Sequence, residues 1–270
     1  MVKLNEIYKV ADTIAPKKLS DEYCEKYGAY DNSGILVDCG EEIRGVLFSL
    51  DLSQGAIDKA IETGANLIIT HHPAIYGKIG DIRIEDSLGG KLVRCIQKGI
   101  SVIAMHLNLD TAIGGIDEAL RDGIRLASNT QDGLERREKI MHPLTGGGYG
   151  RAYAIAPCLL KDLKENVEKE FSTKRILCYG DENKTISYVA SFCGAGVDEG
   201  SIAFAKQSGA EMIISSDFKH HLIALALESG LAVMILPHYA SENYGFEKYY
   251  EKIRRQIDVP CAYHTDKELL

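Results

Sequence analysis

Apolar positions along the chain alternate between helical spacing and short continuous runs rich in β-branched residues. Helical spacing predicts a first helix at about 3–14, a second over QGAIDKAIETG (54–64) and a third near 88–98. The continuous runs predict strands at GILVD (34–38), GVLFSLD (45–51), NLIIT (66–70) and ISVIAM (100–105). Strands that alternate with helices of about ten to twelve residues predict βαβ units and a largely parallel sheet covered on both faces. Gly64, Gly99, Gly209 and Gly230 each sit between a helical pattern and an apolar strand, where a left-handed residue is expected.

The pattern repeats within the chain. AIDKAIETGANLIITHH (56–72) lines up without a gap on SIAFAKQSGAEMIISSD (201–217), which sets His71 and His72 opposite Ser216 and Asp217. KGISVIAMHLNLD (98–110) lines up on SGLAVMILPHYASE (229–242) with one inserted residue, superposing His106 and Asp110 on His238 and Glu242. The expected fold class is therefore α/β, with two similar pseudo-repeated α/β halves and mixed, largely parallel sheets. The expected boundaries are 1–128 for the first half and 129–270 for the second, the C-terminal segment packing back on the first.

Open α/β sheets bind ligands outside the carboxyl ends of their strands. The strand ends after Thr70, Met105, Ser215 and Leu236 all carry His, Asp or Glu close by. The doubled histidine in LIITHHPAIYGK (67–78) is the most conspicuous case. Adjacent side chains on a strand point to opposite faces, so ending the strand at Thr70 would free both His71 and His72 to turn toward one site. His71, His72, His106, Asp110, His238 and Glu242 together exceed what one four-coordinate zinc uses. Their mixed nitrogen and oxygen donors suit zinc, iron, manganese or nickel better than copper(I) or clusters. Two divalent ions sharing them would keep positions open for water, as in two-metal hydrolytic sites. A single histidine after a strand is more often a surface or hydrogen-bonded residue, so the weight rests on the matched set.

Composition narrows the alternatives. The 270 residues are 45% hydrophobic and carry 26 glycines, as expected of a globular protein with a core of its own. The seven cysteines, Cys24, Cys39, Cys95, Cys158, Cys178, Cys193 and Cys261, form no C-x-x-C pair and mostly sit in apolar runs, which suits buried thiols in a reducing compartment. The N-terminus MVKLNEIYKVADTIAPKKLSDEY reads as an amphipathic helix and not a signal peptide. No stretch reaches the roughly 18 to 20 apolar residues of a membrane span, and a cytoplasmic location is expected. A net charge of -8 argues against nucleic acid as the main partner. The mixed-sign RDGIRLASNTQDGLERREKI (121–140) reads as a solvated helix and loop surface.

Four further segments carry possible chemistry. In SSDFKHH, Asp217 and His220 are candidates for proton transfer, and with His221 they could instead orient the metal ligands; Asp217 as a helix N-cap with surface histidines is the bland reading. TGGGYGRAYAI (145–155) is a glycine-rich turn that lacks the P-loop Lys-Ser/Thr and precedes a strand, so a flexible turn between the halves is favoured over a phosphate cradle. FCGAGVDEGSI (192–202) has the strand, tight turn, helix order that anion binding requires. In PHYASENYGFEKYYEKIRRQI, Ser241 reads as an N-cap with Glu242 in the first turn of an amphipathic helix.

With these residues assembled, the chain resembles the dinuclear-metal-centre hexamer family, the GTP cyclohydrolase 1 type 2 homologues or NIF-three-like proteins. The resemblance runs through DNSGILVD, GANLIITHHPAIY, HLNLD followed by GGIDEAL, GGYGR, GAG, SSDFKHH and PHYASENYGFE. It implies the same six ligands, His71, His72, His106, Asp110, His238 and Glu242, two divalent ions per chain (Zn, Fe or Mn) and a toroidal homohexamer. It also implies hydrolytic opening of the guanine imidazole ring of GTP with loss of formate. Two departures bear on loop shape: Pro237 stands where a glycine is common, and a second glycine after Arg151 is missing. The short span between about 121 and 185 leaves no room for the central domain inserted in longer members. A metal-dependent hydrolase acting on a small anionic substrate is the first expectation. A non-catalytic, metal-holding ring protein that acts through protein partners is the second, and a site-free scaffold the third.

Overall fold

The computed structural model describes residues 2–131 and 138–270, so part of the mixed-charge loop at 121–140 lies outside the described residues. In chain order the elements are α1 (Leu4–Ile14), α2 (Lys17–Tyr27), β1 (Gly34–Val37), β2 (Val46–Ser49), α3 (Gln54–Thr63), β3 (Leu67–Thr70), α4 (Ser87–Gln97), β4 (Ser101–Ala104) and α5 (Leu107–Thr111). There follow α6 (Ile116–Ala127), β5 (Lys139–Leu144), β6 (Gly147–Leu159), α7 (Leu160–Glu170), β7 (Leu177–Tyr179), β8 (Thr185–Ser191), α8 (Glu199–Ser208), β9 (Met212–Ser215), α9 (His220–Glu228), β10 (Ala232–Ile235), α10 (His238–Ile253) and β11 (Cys261–His264).

The chain forms two compact units, one of Met1–Ala112 with Phe246–Lys267, the other of Ile113–Gly245 with Glu268–Leu270. The division thus falls before α6 and not at 128, because α6 packs on α7 and β6 of the second unit. Its buried face explains the preference: Ile116, Leu120 and Ile124 recur at helical spacing and all are fully enclosed. In the first unit the strand order is β1-β4-β3-β2-β11, with β4, β3, β2 and β11 mutually parallel and β1 antiparallel at the edge. The C-terminal β11 therefore returns to the first sheet, beside β2. A layer of Leu47, Ile57, Ile68, Leu92 and Val102 fills the space between this sheet and α3 and α4.

The second unit has the order β5-β6-β8-β9-β10-β7. Here parallel pairing is confined to β8, β9 and β10; β5, β6 and β7 run antiparallel to their neighbours. Leu144 pairs with Gly147 across the two-residue turn Thr145-Gly146, and so short a loop can join only antiparallel strands. Gly146 takes φ 118° there, which is open to glycine. The glycine-rich turn is therefore a hairpin inside the second unit, not a link between halves. Behind it, Arg151 on β6 is sealed from solvent and held by Asp117 (Nε to Oδ2, 2.8 Å), Glu118 (3.0 Å) and Glu138 (2.5 Å).

The repeat read from the sequence is also a repeat of structure. α3, its left-handed Gly64 and β3 match α8, its left-handed Gly209 and β9 residue for residue. The hydrogen bonds correspond as well: Ala65 N to Ala60 O (2.9 Å) with Ala210 N to Ala205 O (3.0 Å), and Met105 N to Thr70 O (2.9 Å) with Leu236 N to Ser215 O (3.0 Å). The first predicted helix ends at Ile14, and Pro16 starts a second one, α2, that periodicity does not announce. Its sequence KKLSDEYCEKY buries only Leu19 and Ser20, so it carries almost no apolar stripe. No helix among the described residues is long and apolar enough to cross a membrane.

Candidate metal centre

Strand β3 stops at Thr70, and the next two backbone N–H groups, of His71 and His72, both donate to Leu50 O, at 3.1 and 3.0 Å. The chain leaves the pleat at this point. Two rings that a continued strand would send to opposite faces stand with centroids 4.8 Å apart. Ser216 and Asp217 repeat the turn in the second unit, donating to Gly194 O at 3.2 and 3.4 Å. His71 is fully enclosed, with Nδ1 2.8 Å from Met105 O. His72 Nδ1 lies 2.8 Å from Asp51 Oδ1, just beyond β2.

His106 follows β4 and immediately precedes α5, where Asp110 N donates to His106 O at 2.9 Å. One helical turn thus joins the members of the H-x-x-x-D pair. His106 Nδ1 lies 2.7 Å from Asp31 Oδ1, and His106 N donates to Ser33 Oγ at 3.0 Å. The Ser20 and Ser33 hydroxyls each donate to Asp31 Oδ2 at 2.5 Å. Burial alone would raise the Asp31 carboxyl, but the hydrogen bonds from His106, Ser20 and Ser33 outweigh it and hold the group well below the usual carboxylate range. Burial is the largest single influence on His106 and pulls it down, but the hydrogen bond to Asp31 together with the charges of Asp110 and Asp31 outweighs it, and the net shift is upward. His71, His106 and Asp110 bring one ligand atom each to within 4.8 Å of one another, with His71 Nε2 3.5 Å from Asp110 Oδ1.

In the second unit, α10 begins at His238, directly after Pro237. Ser241 is therefore not the N-cap that the sequence suggested: it lies inside the first turn, its N–H donating to Pro237 O at 3.0 Å. A proline before the first helical residue starts the helix earlier, and the gain for the site is geometric. His238 and Glu242 fall four apart on one helical face, with Nε2 2.8 Å from Oε2. Asp217 Oδ2 lies 2.8 Å from His238 Nδ1.

Gly194, at φ 58°, packs beneath this pair: a Cβ there would stand 2.3 Å from Glu242 Oε1. Gly194 of FCGAGVDEGSI thus makes room for the Glu242 carboxylate. The N-terminus of α8 is closed by its own Asp198, which accepts from Ser201 N at 2.8 Å, so the anion-binding reading of this segment does not hold. Asp217 does not cap α9 either; Lys219 is the N-cap residue, and no side chain caps the helix. His220 and His221 lie exposed in the first turn of α9.

In the first unit the fold brings together His71, His72, His106 and Asp110; in the second it brings together His238, Glu242 and Asp217. The donors fit a divalent cation. Each of these four histidines has Nδ1 against an oxygen, of Met105, Asp51, Asp31 or Asp217, so a proton on Nδ1 would donate to that oxygen and leave Nε2 to face a cation. Nitrogen and carboxylate oxygen donors suit zinc, iron or manganese. Asp31 and Asp51 escaped sequence reasoning. Their signal was present, since Asp31 opens DNSGILVD and Asp51 closes GVLFSLD, each flanking a strand of the same sheet.

The chain as a whole is similar to known proteins. A relative from Clostridium perfringens, called a GTP cyclohydrolase 1 type 2 homolog, is 28% identical over 275 residues, covering 99% of this chain and 97% of its own. Reduced HcgD from Methanocaldococcus jannaschii superposes with a TM-score of 0.77 at 26% identity, covering 97% of both chains. The Staphylococcus aureus protein SA1388 superposes at 0.80 with 21% identity, covering 98% of this chain and 96% of its own. The sequence profile of Duf34/NIF3 (NGG1p interacting factor 3) matches residues 2–267, nearly the whole length, and the chain belongs to that family.

Proposed function

We propose that the protein is a metal-dependent hydrolase that holds two divalent ions, zinc, iron or manganese, and acts on a nucleotide-like substrate. The ligands in this reading are His71, His72, His106, Asp110, His238 and Glu242. Pooling the two halves' residues into one centre rests on the internal repeat and on the family. The observation that carries the reading is the outward hydrogen bond from every one of the four imidazoles, three of them to a carboxylate. Surface or core histidines have no need of such uniform orientation, whereas metal ligands do.

Bound ions would lower the pKa of water and polarise the group to be cleaved. The chain's own residues supply the rest. Asp110 and Glu242 bring negative charge to offset that of the cations. Asp31, Asp51 and Asp217 hold their histidines in the Nδ1–H tautomer, so Asp217 is given the orienting role and not that of proton carrier. His220, exposed three residues beyond Asp217, is the candidate to carry a proton to solvent.

Relatives named GTP cyclohydrolase 1 type 2 homolog make GTP the first substrate to try. Protein loaded with zinc, iron or manganese should release formate from GTP, and His220→Ala should slow turnover without changing metal content. If no metal supports turnover above a His71→Ala control across GTP and a panel of nucleotide esters, the hydrolase reading fails. The homohexamer belongs to the same proposal, and light scattering on the purified chain should give a mass six times that of one chain.

A further inference from the structure

Beside Asp217 the second unit has a crevice of about 470 Å³, within the range of small-ligand sites. It opens at the carboxyl ends of β9 and β10, the end of a parallel sheet where ligands bind. Its walls include Tyr179 and Phe218, with Val197 and Ile235 adding apolar surface and Asp217 and Lys219 the charges. The short edge strand β7 contributes through alternate residues, Leu177 and Tyr179, which share one face of the strand and are 56% and 36% exposed. Two large side chains are thus held open to solvent by an edge strand that, among the described residues, pairs with β10 alone. Lys219 enters no ion pair among the described residues, while the Asp217 carboxylate already accepts from His238 Nδ1.

We propose that this crevice binds a planar heteroaromatic ring joined to an anionic group, the chemistry of a purine nucleotide. Tyr179 and Phe218 offer faces for the ring, and every base has a π-face to stack. Lys219 offers the anion its positive charge. The Asp217 carboxylate, fixed by His238, can accept from an N–H edge of the ring. The crevice lies next to a carboxylate that orients a proposed ligand, so a ring held there is delivered to the site's own side chains. This assignment deepens the nucleotide hydrolase reading and rests on it only for the link to catalysis.

Calorimetric titration of the full chain in EDTA with GMP, guanosine and inorganic phosphate tests it. GMP should bind saturably and more tightly than either fragment. Lys219→Gln should weaken GMP at least about fivefold and leave guanosine unchanged, and Tyr179→Ala should weaken both GMP and guanosine. Thermal midpoints within a few degrees of wild type would show that these exposed substitutions leave the fold intact. Absence of saturable GMP binding, binding that neither variant alters, or phosphate alone binding as tightly as GMP would each overturn the proposal. Binding that depends on both residues in a protein without turnover would sink the hydrolase reading and leave the nucleotide site standing. Turnover that both variants leave at the wild-type KM would do the reverse.

Discussion

Replacing Asp31 by asparagine keeps the shape of the side chain and removes its charge, and the consequences can be sized from its contacts. The carboxylate accepts from His106 Nδ1 at 2.7 Å and from two serine hydroxyls at 2.5 Å, in a side chain only 1% exposed. In Asp31→Asn, Oδ1 can still accept from His106, but the bond is no longer charge-assisted and the ring loses electron density at Nε2. Loss of an outer carboxylate partner of a metal-binding histidine costs 10- to 100-fold in affinity, or about 1.4–2.7 kcal/mol. The metal-free fold should also weaken by about 1.5–3 kcal/mol, the worth of a hydrogen bond to a charged group. Two measurements separate these effects: urea unfolding in EDTA, and zinc affinity by chelator competition under conditions where both proteins are folded. A folded Asp31→Asn protein that binds zinc as tightly as wild type would refute the orienting role and, with it, the main physical support for the metal centre.

Gly194→Ala should destabilise by about 2–4 kcal/mol, combining left-handed backbone strain with displacement of Glu242, whereas Gly209→Ala, with nothing within 4 Å of the added Cβ, should cost only about 1–2 kcal/mol of strain; equal urea midpoints would defeat the close-packing argument. Asp117→Ala should cost about 3–5 kcal/mol by leaving the enclosed Arg151 short of a partner, while Arg151→Met with Asp117→Leu should recover much of that loss, and urea unfolding of the single and double variants decides. Burial pushes the Cys95 thiol from its ordinary 9.0 up to about 11. The unfolded chain then loses that proton first as pH rises, so the contribution is complete below pH 9 and fades by about 2–3 kcal/mol toward pH 11. Native protein at pH 8 should leave Cys95 unlabelled by Ellman's reagent, and Cys95→Ala should flatten the alkaline part of the stability profile.

Much of the first unit was legible from its sequence because its strands are short, continuous apolar runs set between capped helices. Leu67–Thr70 and Ser101–Ala104 each fall inside a predicted run. The second unit was harder to read. β6 and β8 follow no helical connection, and antiparallel pairing depends on a hairpin turn and on which edge is vacant, which periodicity does not express. α2 is polar on nearly every side, and its place is fixed by tertiary contacts such as that of Ser20 with Asp31.

The sequence by itself determined the donor types, their position at strand ends and their repetition, since strand termination and H-x-x-x-acid spacing are local properties of the chain. It could not determine which nitrogen of each ring points inward. That choice is made by Asp31, Asp51, Asp217 and the Met105 carbonyl, and for Asp31, Asp51 and Asp217 the partner histidine is far off in the sequence: Asp31 stands 75 residues from His106, Asp51 21 from His72 and Asp217 21 from His238. Side-chain hydrogen bonds between strands depend on sheet order and register, and those exist only once the tertiary structure has formed.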